Sequence, residues 1–455
     1  MSIVIVGAGE MGYHLARQLS RERRNVILID RHSERVSFVQ NNLDVQALTG
    51  RGSLPSVLIE AGIGKADMLV AVTDSDEVNI VACAVAGHLN GFIKKIARVR
   101  EIDFHEHRQI LDKAHLGIDL VISPEDEAVK KLIRVLDVPG ATDVMDFAEG
   151  KIKLVGIRLA PDSPLVGHSL ITLRQEHPEG PFLIAAIFRE SGVIIPRGSD
   201  VLKADDTVYI ITAKESVDSV IRMAGIELEP LKSYMILGGT LLGIRMAQEL
   251  ESKGVYDIKL MESDPAKCEE IAGLLNDTMV LRSETMHEEF LRSEGISETD
   301  AFLGMTTDDE ENALMALLAK RMGAKRVAAV TNKLEYDRLI HAIGVDVVVN
   351  PRLAGASRIL QYIRKGKVMS VFMLPGERVE AIEFEAMQTS QLVGTPLRKI
   401  KFPAGAILGA VERGDEFIIP HGDTMILPGD RMVFFSSREA IPKVEKLASV
   451  GLDYF

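Results

Sequence analysis

The chain opens MSIVIVGAGEMGYHLARQLSRERRNVILID over residues 1–30, and this stretch decides the fold class. An apolar run at residues 2–6 reads as a buried strand. Gly7, Gly9 and Gly12 then break the pattern, an amphipathic helical stretch follows, and a second apolar run at residues 26–29 ends on Asp30. Strand, glycine turn, helix, strand and acid in this order mark a parallel βαβ unit of the dinucleotide-binding kind. Gly7 permits the tight turn, Gly9 lets backbone approach a pyrophosphate, and Gly12 lets helix and strand pack closely, with Ala8, Glu10 and Met11 completing the loop. The helix N-terminus faces the phosphate charge. Asp30 follows Gly12 by 18 residues, placed to accept both ribose hydroxyls of an adenosine moiety and to repel a 2′-phosphate. NAD(H), or another adenosine nucleotide without that phosphate, is therefore expected over NADP(H).

Working outward, apolar runs at residues 45–48, 68–73, 96–99 and 119–122 alternate with helical stretches, which predicts a mainly parallel, doubly wound sheet. Ligands bind such sheets at the carboxyl ends of the strands. The loop Gly50, Arg51, Gly52, Ser53 is a candidate for a second close backbone approach, and Thr73 and Asp74 for the lining of the central loop. Arg98 falls in the middle of the run at residues 96–99, where a charge needs a partner to offset its burial. That partner is either phosphate or a nearby acid. Arg31 is either a cation at the adenosine end or a solvent-facing turn residue.

Near residue 233 the plan restarts. Gly238, Gly239, Thr240 and Gly243 follow a new strand, and Glu262 closes the next one. Thr73 and Asn79 recur with the same separation as Thr306 and Asn312, and Gly117 with Pro124 recurs as Gly344 with Pro351. Each half ends in a period-two segment with Pro and Gly turns, and their landmarks correspond: Leu165, Val166, Gly167 with Leu392, Val393, Gly394, and Asp206 with Asp430. A duplication explains these parallels. The second glycine loop reads as the weaker site, because Thr240 puts a branched side chain where Gly9 stands and Glu262 is longer than Asp30. Counted from the opening glycine, Arg98 falls on Ala329, and Gly50 and Gly52 find no glycine counterpart among Arg282, Ser283 and Glu284.

Composition narrows the function classes. With 455 residues, the chain needs more than one domain. No apolar run approaches the roughly 18 to 20 residues of a membrane span. A net charge of −13 and the absence of Trp argue against nucleic acid. Two cysteines and an opening without a basic leader or cleavage site lead us to expect a cytoplasmic protein. The eleven histidines are scattered; His105 and His107, the closest pair, do not share a helix face, so a metal pair is not expected. No catalytic residue stands out. The alternative is a soluble NAD-dependent oxidoreductase, which would need a substrate domain supplying a proton-transfer residue. A short β-rich module after each sheet instead suggests ligand sensing or subunit contacts.

The order of these pieces closely resembles the TrkA family, the peripheral RCK/KTN-domain regulatory subunits of bacterial Trk-type potassium uptake systems, over essentially the full chain. The resemblance implies an α/β fold of two Rossmann-like RCK domains with mainly parallel sheets, each followed by a small β-rich α+β TrkA-C domain. The expected boundaries are a first RCK (TrkA-N) domain at 1–130, a linker at 131–149, TrkA-C at 150–228, a second RCK domain at 231–355, a linker at 356–367 and TrkA-C at 368–450. It further implies a homotetrameric gating ring at the cytoplasmic face of a TrkH-like or TrkG-like channel, sensing NAD(H) and ATP or ADP. The nucleotide contacts would come from the Gly7–Gly12 loop, Asp30, Arg31, the loop at residues 50–53, Thr73, Asp74 and Arg98.

Overall fold

A computed structural model of the chain describes residues 1–101, 103–104, 107–178, 180–189, 192–255, 257–283, 287–333, 336–364, 370–374, 379–437 and 439–448. Strands β1 (Ser2–Val6), β2 (Asn25–Asp30), β3 (Gln46–Thr49), β4 (Met68–Ala71), β5 (Lys94–Arg98) and β6 (Leu120–Ile122) form a parallel sheet in the order β3-β2-β1-β4-β5-β6. Helices α1 (Glu10–Arg21), α2 (Ser33–Asn42), α3 (Pro55–Glu60), α4 (Asp76–Leu89) and α5 (Pro124–Leu136) accompany it. An antiparallel sheet follows, β10-β9-β11-β8-β7, from β7 (Ala141–Phe147), β8 (Ile152–Arg158), β9 (Phe182–Arg189), β10 (Gly192–Ile194) and β11 (Thr207–Ala213), with α6 (Leu170–Glu176) and α7 (Val217–Met223).

Both sheets are then built again. Strands β12 (Ser233–Leu237), β13 (Asp257–Glu262), β14 (Met279–Arg282), β15 (Ala301–Gly304), β16 (Arg326–Val330) and β17 (Val347–Val349) lie parallel in the order β14-β13-β12-β15-β16-β17. Their helices are α8 (Leu241–Ser252), α9 (Pro265–Leu274), α10 (Glu288–Ser293), α11 (Asp309–Arg321), α12 (Tyr336–Ala342) and α13 (Pro351–Arg364). The last sheet, β18-β19-β22-β20-β21, uses β18 (Ser370–Met373), β19 (Val379–Glu385), β20 (Ala406–Arg413), β21 (Glu416–Ile418) and β22 (Arg431–Ser437), followed by α14 (Ile441–Ala448).

The parallel sheets form because their central strands are apolar throughout. Residues Met68–Ala71 of β4 are all buried, as a strand covered on both faces requires. On α1, Leu15, Ala16 and Leu19 face the sheet at helical spacing and are fully buried. Helix α4 starts where the Ser75 hydroxyl accepts the Val78 N–H at 3.2 Å. Between β1 and β4 the strand order reverses, which opens a crevice at their carboxyl ends.

The chain divides into two compact units that pair like with like: Met1–Lys130 with Ser233–Leu360, and Lys131–Lys232 with Gln361–Phe455. In the second unit the two antiparallel sheets share one apolar core, where Phe147 meets Phe372 edge-on at 5.1 Å. Lys151 bridges from the first sheet to Glu412 and Asp415 of the second, each at 2.9 Å. Among the described residues, no helix is long and apolar enough to cross a membrane.

Neither stretch expected as a linker is one. Residues 131–149 carry the end of α5 and all of β7, which pairs with β8. Both acids of β7 have partners there, Lys131 approaching Asp143 at 3.7 Å and Lys153 pairing with Asp146. Most of the stretch 356–367 belongs to α13, whose Ala356, Ile359, Leu360 and Ile363 are buried at helical spacing.

Candidate functional site

The first crevice is built around the turn from β1 into α1. Gly7 has φ +110°, a conformation that side chains rarely adopt, and its N–H donates to the Ile29 carbonyl at 2.8 Å. A Cβ on Gly12 would stand 1.8 Å from the Gly7 carbonyl oxygen, so only glycine allows helix and turn this close. Gly9 differs from both. It caps α1 without any side-chain hydrogen bond, and a Cβ built on it meets nothing within 4 Å. The first N–H groups of α1, on Glu10, Met11 and Gly12, therefore open toward space that no cap side chain occupies.

Asp30 ends β2 beside this turn and is buried. Its Oδ2 accepts the Ala8 N–H at 2.7 Å and its Oδ1 the His32 N–H at 2.8 Å. The carboxylate thus ties the glycine loop to the start of α2, and each oxygen keeps a lone pair for a ribose hydroxyl. Arg35 stands 4.0 Å from Asp30, and the exposed Arg31 donates from Nε to His32 Nε2 at 2.9 Å. Arg31, His32, Ser33, Glu34 and Arg35 line a cavity of about 420 Å³ at this end. A larger hollow, about 510 Å³ around Arg222 and Ile226, lies in the second unit and contains none of the candidate residues.

At the other strands the structure redistributes roles. Thr73 donates from both N and Oγ1 to Asn79 Oδ1, at 2.9 and 2.7 Å, and the Asn79 amide bonds the carbonyls of Thr73 and Arg98. This fully buried asparagine fixes the loop after β4 to the end of β5. Arg98 is the last residue of β5, not its middle, and donates to the exposed Asp74 at 3.1 Å. The acid partner is thus present, while the buried Arg98 Nε has no hydrogen-bond partner. Burial, then the nearby Arg100, lowers the Arg98 pKa, with Glu125 and Asp74 acting against them. Arg100, absent from the sequence reading, bonds the Asp74 carbonyl at 2.8 Å; its position two residues along from Arg98 was the available signal.

Gly50 and Gly52 have packing reasons rather than open space. A Cβ on Gly52 would lie 2.2 Å from Val6 Cγ1, and one on Gly50 2.8 Å from Val57 Cγ1. Arg51 is exposed and Ser53 half-buried on the same loop. Among the described residues no group of three or more His, Cys, Asp or Glu side chains is arranged to hold a metal; His105 lies outside those residues.

The second crevice repeats the scaffold and fills the opening. Gly238 has φ +112°, and a Cβ on Gly243 would meet the Gly238 carbonyl oxygen at 2.1 Å, as in the first half. Thr240, however, caps α8 itself: its Oγ1 accepts the Gly243 N–H at 3.2 Å and donates to the Met305 carbonyl at 2.8 Å. Glu262 folds back on the loop, accepting from Gly239 N–H at 3.1 Å and from Ser263 and Asp264 N–H at 2.6 and 3.0 Å. Burial pushes the Glu262 carboxyl up, but these hydrogen bonds outweigh it and hold its pKa below the usual range. A side chain on Gly239 would collide with Ile271 at 2.4 Å and with Glu262 at 2.7 Å.

Strand pairing also corrects the residue counterparts. The Asn312 amide reaches the Val330 carbonyl at 3.0 Å, as that of Asn79 reaches Arg98, so Arg98 corresponds to Val330 and not to Ala329. Ser283 N–H bonds the Glu262 carbonyl as Gly50 N–H bonds that of Asp30, which makes Ser283 the counterpart of Gly50; Glu284 lies outside the described residues.

Comparison with known proteins covers the whole chain. The TrkA-N domain family matches residues 3–124 and 234–351, and the TrkA-C domain family matches 154–225 and 381–449. A Trk system potassium uptake protein TrkA of Azorhizobium caulinodans is 38% identical over 458 aligned positions, covering 100% of both chains. Its counterpart in Halomonas elongata is 35% identical, again over 100% of both. Among solved structures, the GsuK channel bound to NAD superposes with a TM-score of 0.60 at 17% identity, covering 98% of this chain and 78% of that one, a likeness of fold.

Proposed function

The chain belongs to the TrkA family of Trk potassium uptake systems, and from that premise we propose that it is a nucleotide-sensing regulatory subunit that controls a potassium-translocating membrane protein. One observation carries the nucleotide part of this reading: the uncapped N-terminus of α1 opens at Gly9 onto empty space, with Asp30 held beside it. Backbone N–H groups for a pyrophosphate and a carboxylate for an adenosine ribose stand together there. NAD(H) is the ligand this pair suits, with ADP or ATP as the alternatives. The second crevice keeps a carboxylate, Glu262, held by the Gly239 and Asp264 N–H groups as Asp30 is by those of Ala8 and His32, but it lacks the open helix N-terminus, which Thr240 caps.

The membrane partner in this reading is a TrkH-like or TrkG-like subunit, met at the cytoplasmic face by a ring of four chains. Exposed apolar side chains on α4, α11 and α12, namely Val81, Leu314 and Leu339, supply surface for such assembly. The role is regulatory rather than catalytic. The test is to purify the chain, identify the nucleotide it retains, and follow both NADH consumption and potassium uptake in cells lacking it. Tight nucleotide binding without turnover, with uptake lost on deletion, is the expected outcome. Unchanged uptake, or steady NADH oxidation with a small substrate, would overturn the reading.

A further inference from the structure

Within the first unit the two halves touch through their helices. Helix α13 of the second half lies over the first turn of α1: a Cβ on Gly355 would meet Met11 Cε at 2.9 Å and Pro124 Cα at 3.4 Å. At this crossing Arg352, the second residue of α13, pairs with Glu10, the first residue of α1. The reciprocal crossing carries Arg245 of α8 beside Asp126 of α5 at 3.6 Å.

The Glu10 to Arg352 pair is a weak structural element. Both side chains are close to half exposed, at 45% and 40%, and such pairs contribute little to stability. Arg352 also sits at the positive end of its own helix, where a cation is disfavoured. Its position is explained from the other side. Glu10 immediately follows Gly9 at the opening where a phosphate would dock, and an uncompensated carboxylate there would repel it. At the carboxyl end of the same sheet, Arg98 is 7% exposed with its Nε unpartnered. The duplication sharpens the contrast: the positions of Glu10 and Arg352 correspond to Leu241 and Glu125, so the second glycine loop has no equivalent cation lent to it.

We propose that Arg352 is a phosphate-reading residue lent by the second half to the nucleotide site of the first, with Glu10 as its resting partner. This rests on the nucleotide-binding reading above. The ligand class is a nucleoside di- or triphosphate, or the pyrophosphate of a dinucleotide. An incoming pyrophosphate competes with Glu10 for the guanidinium, so occupancy of the first site alters a contact with the second half. Adenosine and AMP, which place less charge at the loop, leave the pair in place.

The experiment is calorimetric titration of the full chain and its variants with adenosine, AMP, ADP and NADH. Arg352→Ala is expected to weaken ADP and NADH by about tenfold, the scale of one charge-assisted hydrogen bond, and adenosine by less than about twofold. Adding Glu10→Gln to Arg352→Ala should recover only part of that loss, because it removes the unpaired carboxylate but not the missing phosphate contact; full recovery would make Arg352 a mere neutraliser of Glu10 and overturn the proposal. Arg352→Lys should retain part of the affinity, and ligand-free melting should be nearly unchanged in all three. Equal losses for adenosine and ADP, or undiminished ADP binding by Arg352→Ala, would overturn the proposal and leave the nucleotide site standing. A parent chain that binds none of the four ligands would remove both.

Discussion

Replacing Gly9 by alanine adds one methyl group at a point where it meets no protein atom within 4 Å. The backbone there, φ −66° and ψ −178°, is open to any residue, and the gain of up to about 1 kcal/mol through the unfolded chain is offset by alanine's poorer fit at an N-cap, so ligand-free stability should change by no more than about 1 kcal/mol. The methyl group instead occupies the space in which a pyrophosphate would approach the first N–H groups of α1. A loss of affinity on the order of 100-fold corresponds to about 2.7 kcal/mol. The assay is thermal denaturation with and without NADH at about 100 times the dissociation constant of the parent. Ligand stabilises the parent by roughly 2.7 kcal/mol and the variant, at the same concentration, by about 0.4 kcal/mol. Gly12→Ala is the control: its methyl group falls 1.8 Å from the Gly7 carbonyl oxygen, so it should cost roughly 1 to 3 kcal/mol or more without ligand. If Gly9→Ala keeps the full ligand-induced shift, the phosphate does not lie over Gly9 and the site has been misplaced.

Three other perturbations follow from the geometry. Asp30→Ala should abolish most NAD(H) affinity, whereas Glu262→Ala should leave it intact, and calorimetry should count one tight site per chain; equal losses would defeat the asymmetry. Val99→Thr should stabilise the first half by about 1 kcal/mol in chemical denaturation, because Asp76 Oδ1 is buried without a partner, whereas Thr331 in the second half donates to Asp309 at 3.1 Å. Removing that donor with Thr331→Val should cost about 1 to 2 kcal/mol. Because the folded-state pKa of Glu262 is depressed, its contribution is complete above the ordinary carboxylate value of about 4.3 and is lost as pH falls through the folded value. The stability gap between Glu262→Gln and the parent should therefore be largest near neutral pH and shrink below about pH 4; a gap that widens in acid would contradict the assignment.

The grouping of the candidate residues was legible because they lie within one βαβ unit. Gly7, Gly9, Gly12 and Asp30 are positioned by a strand, a turn and a helix whose periods can be counted, and the structure keeps all four at one crevice. Gly50 and Gly52 carried the same local appearance for a different reason: Val57 and Val6 press against them, and a contact with β1 leaves no trace in the loop's own residues. Arg98 shows the same limit. The run of apolar residues around it required a partner, and only the fold supplied Asp74.

The sequence alone determined the class of each sheet and the duplication, since hydrophobic period, turn chemistry and repeated landmarks are properties of neighbouring residues. Tertiary structure decided what each buried face meets. It joined the two parallel sheets in one unit and the two antiparallel sheets in another, placed β7 at a sheet edge, made Val330 the repeat counterpart of Arg98, and brought Arg352 to Glu10. Periodicity reports that a face is buried, but complementary shape and charge between segments hundreds of residues apart select its partner, and that selection has no local signature.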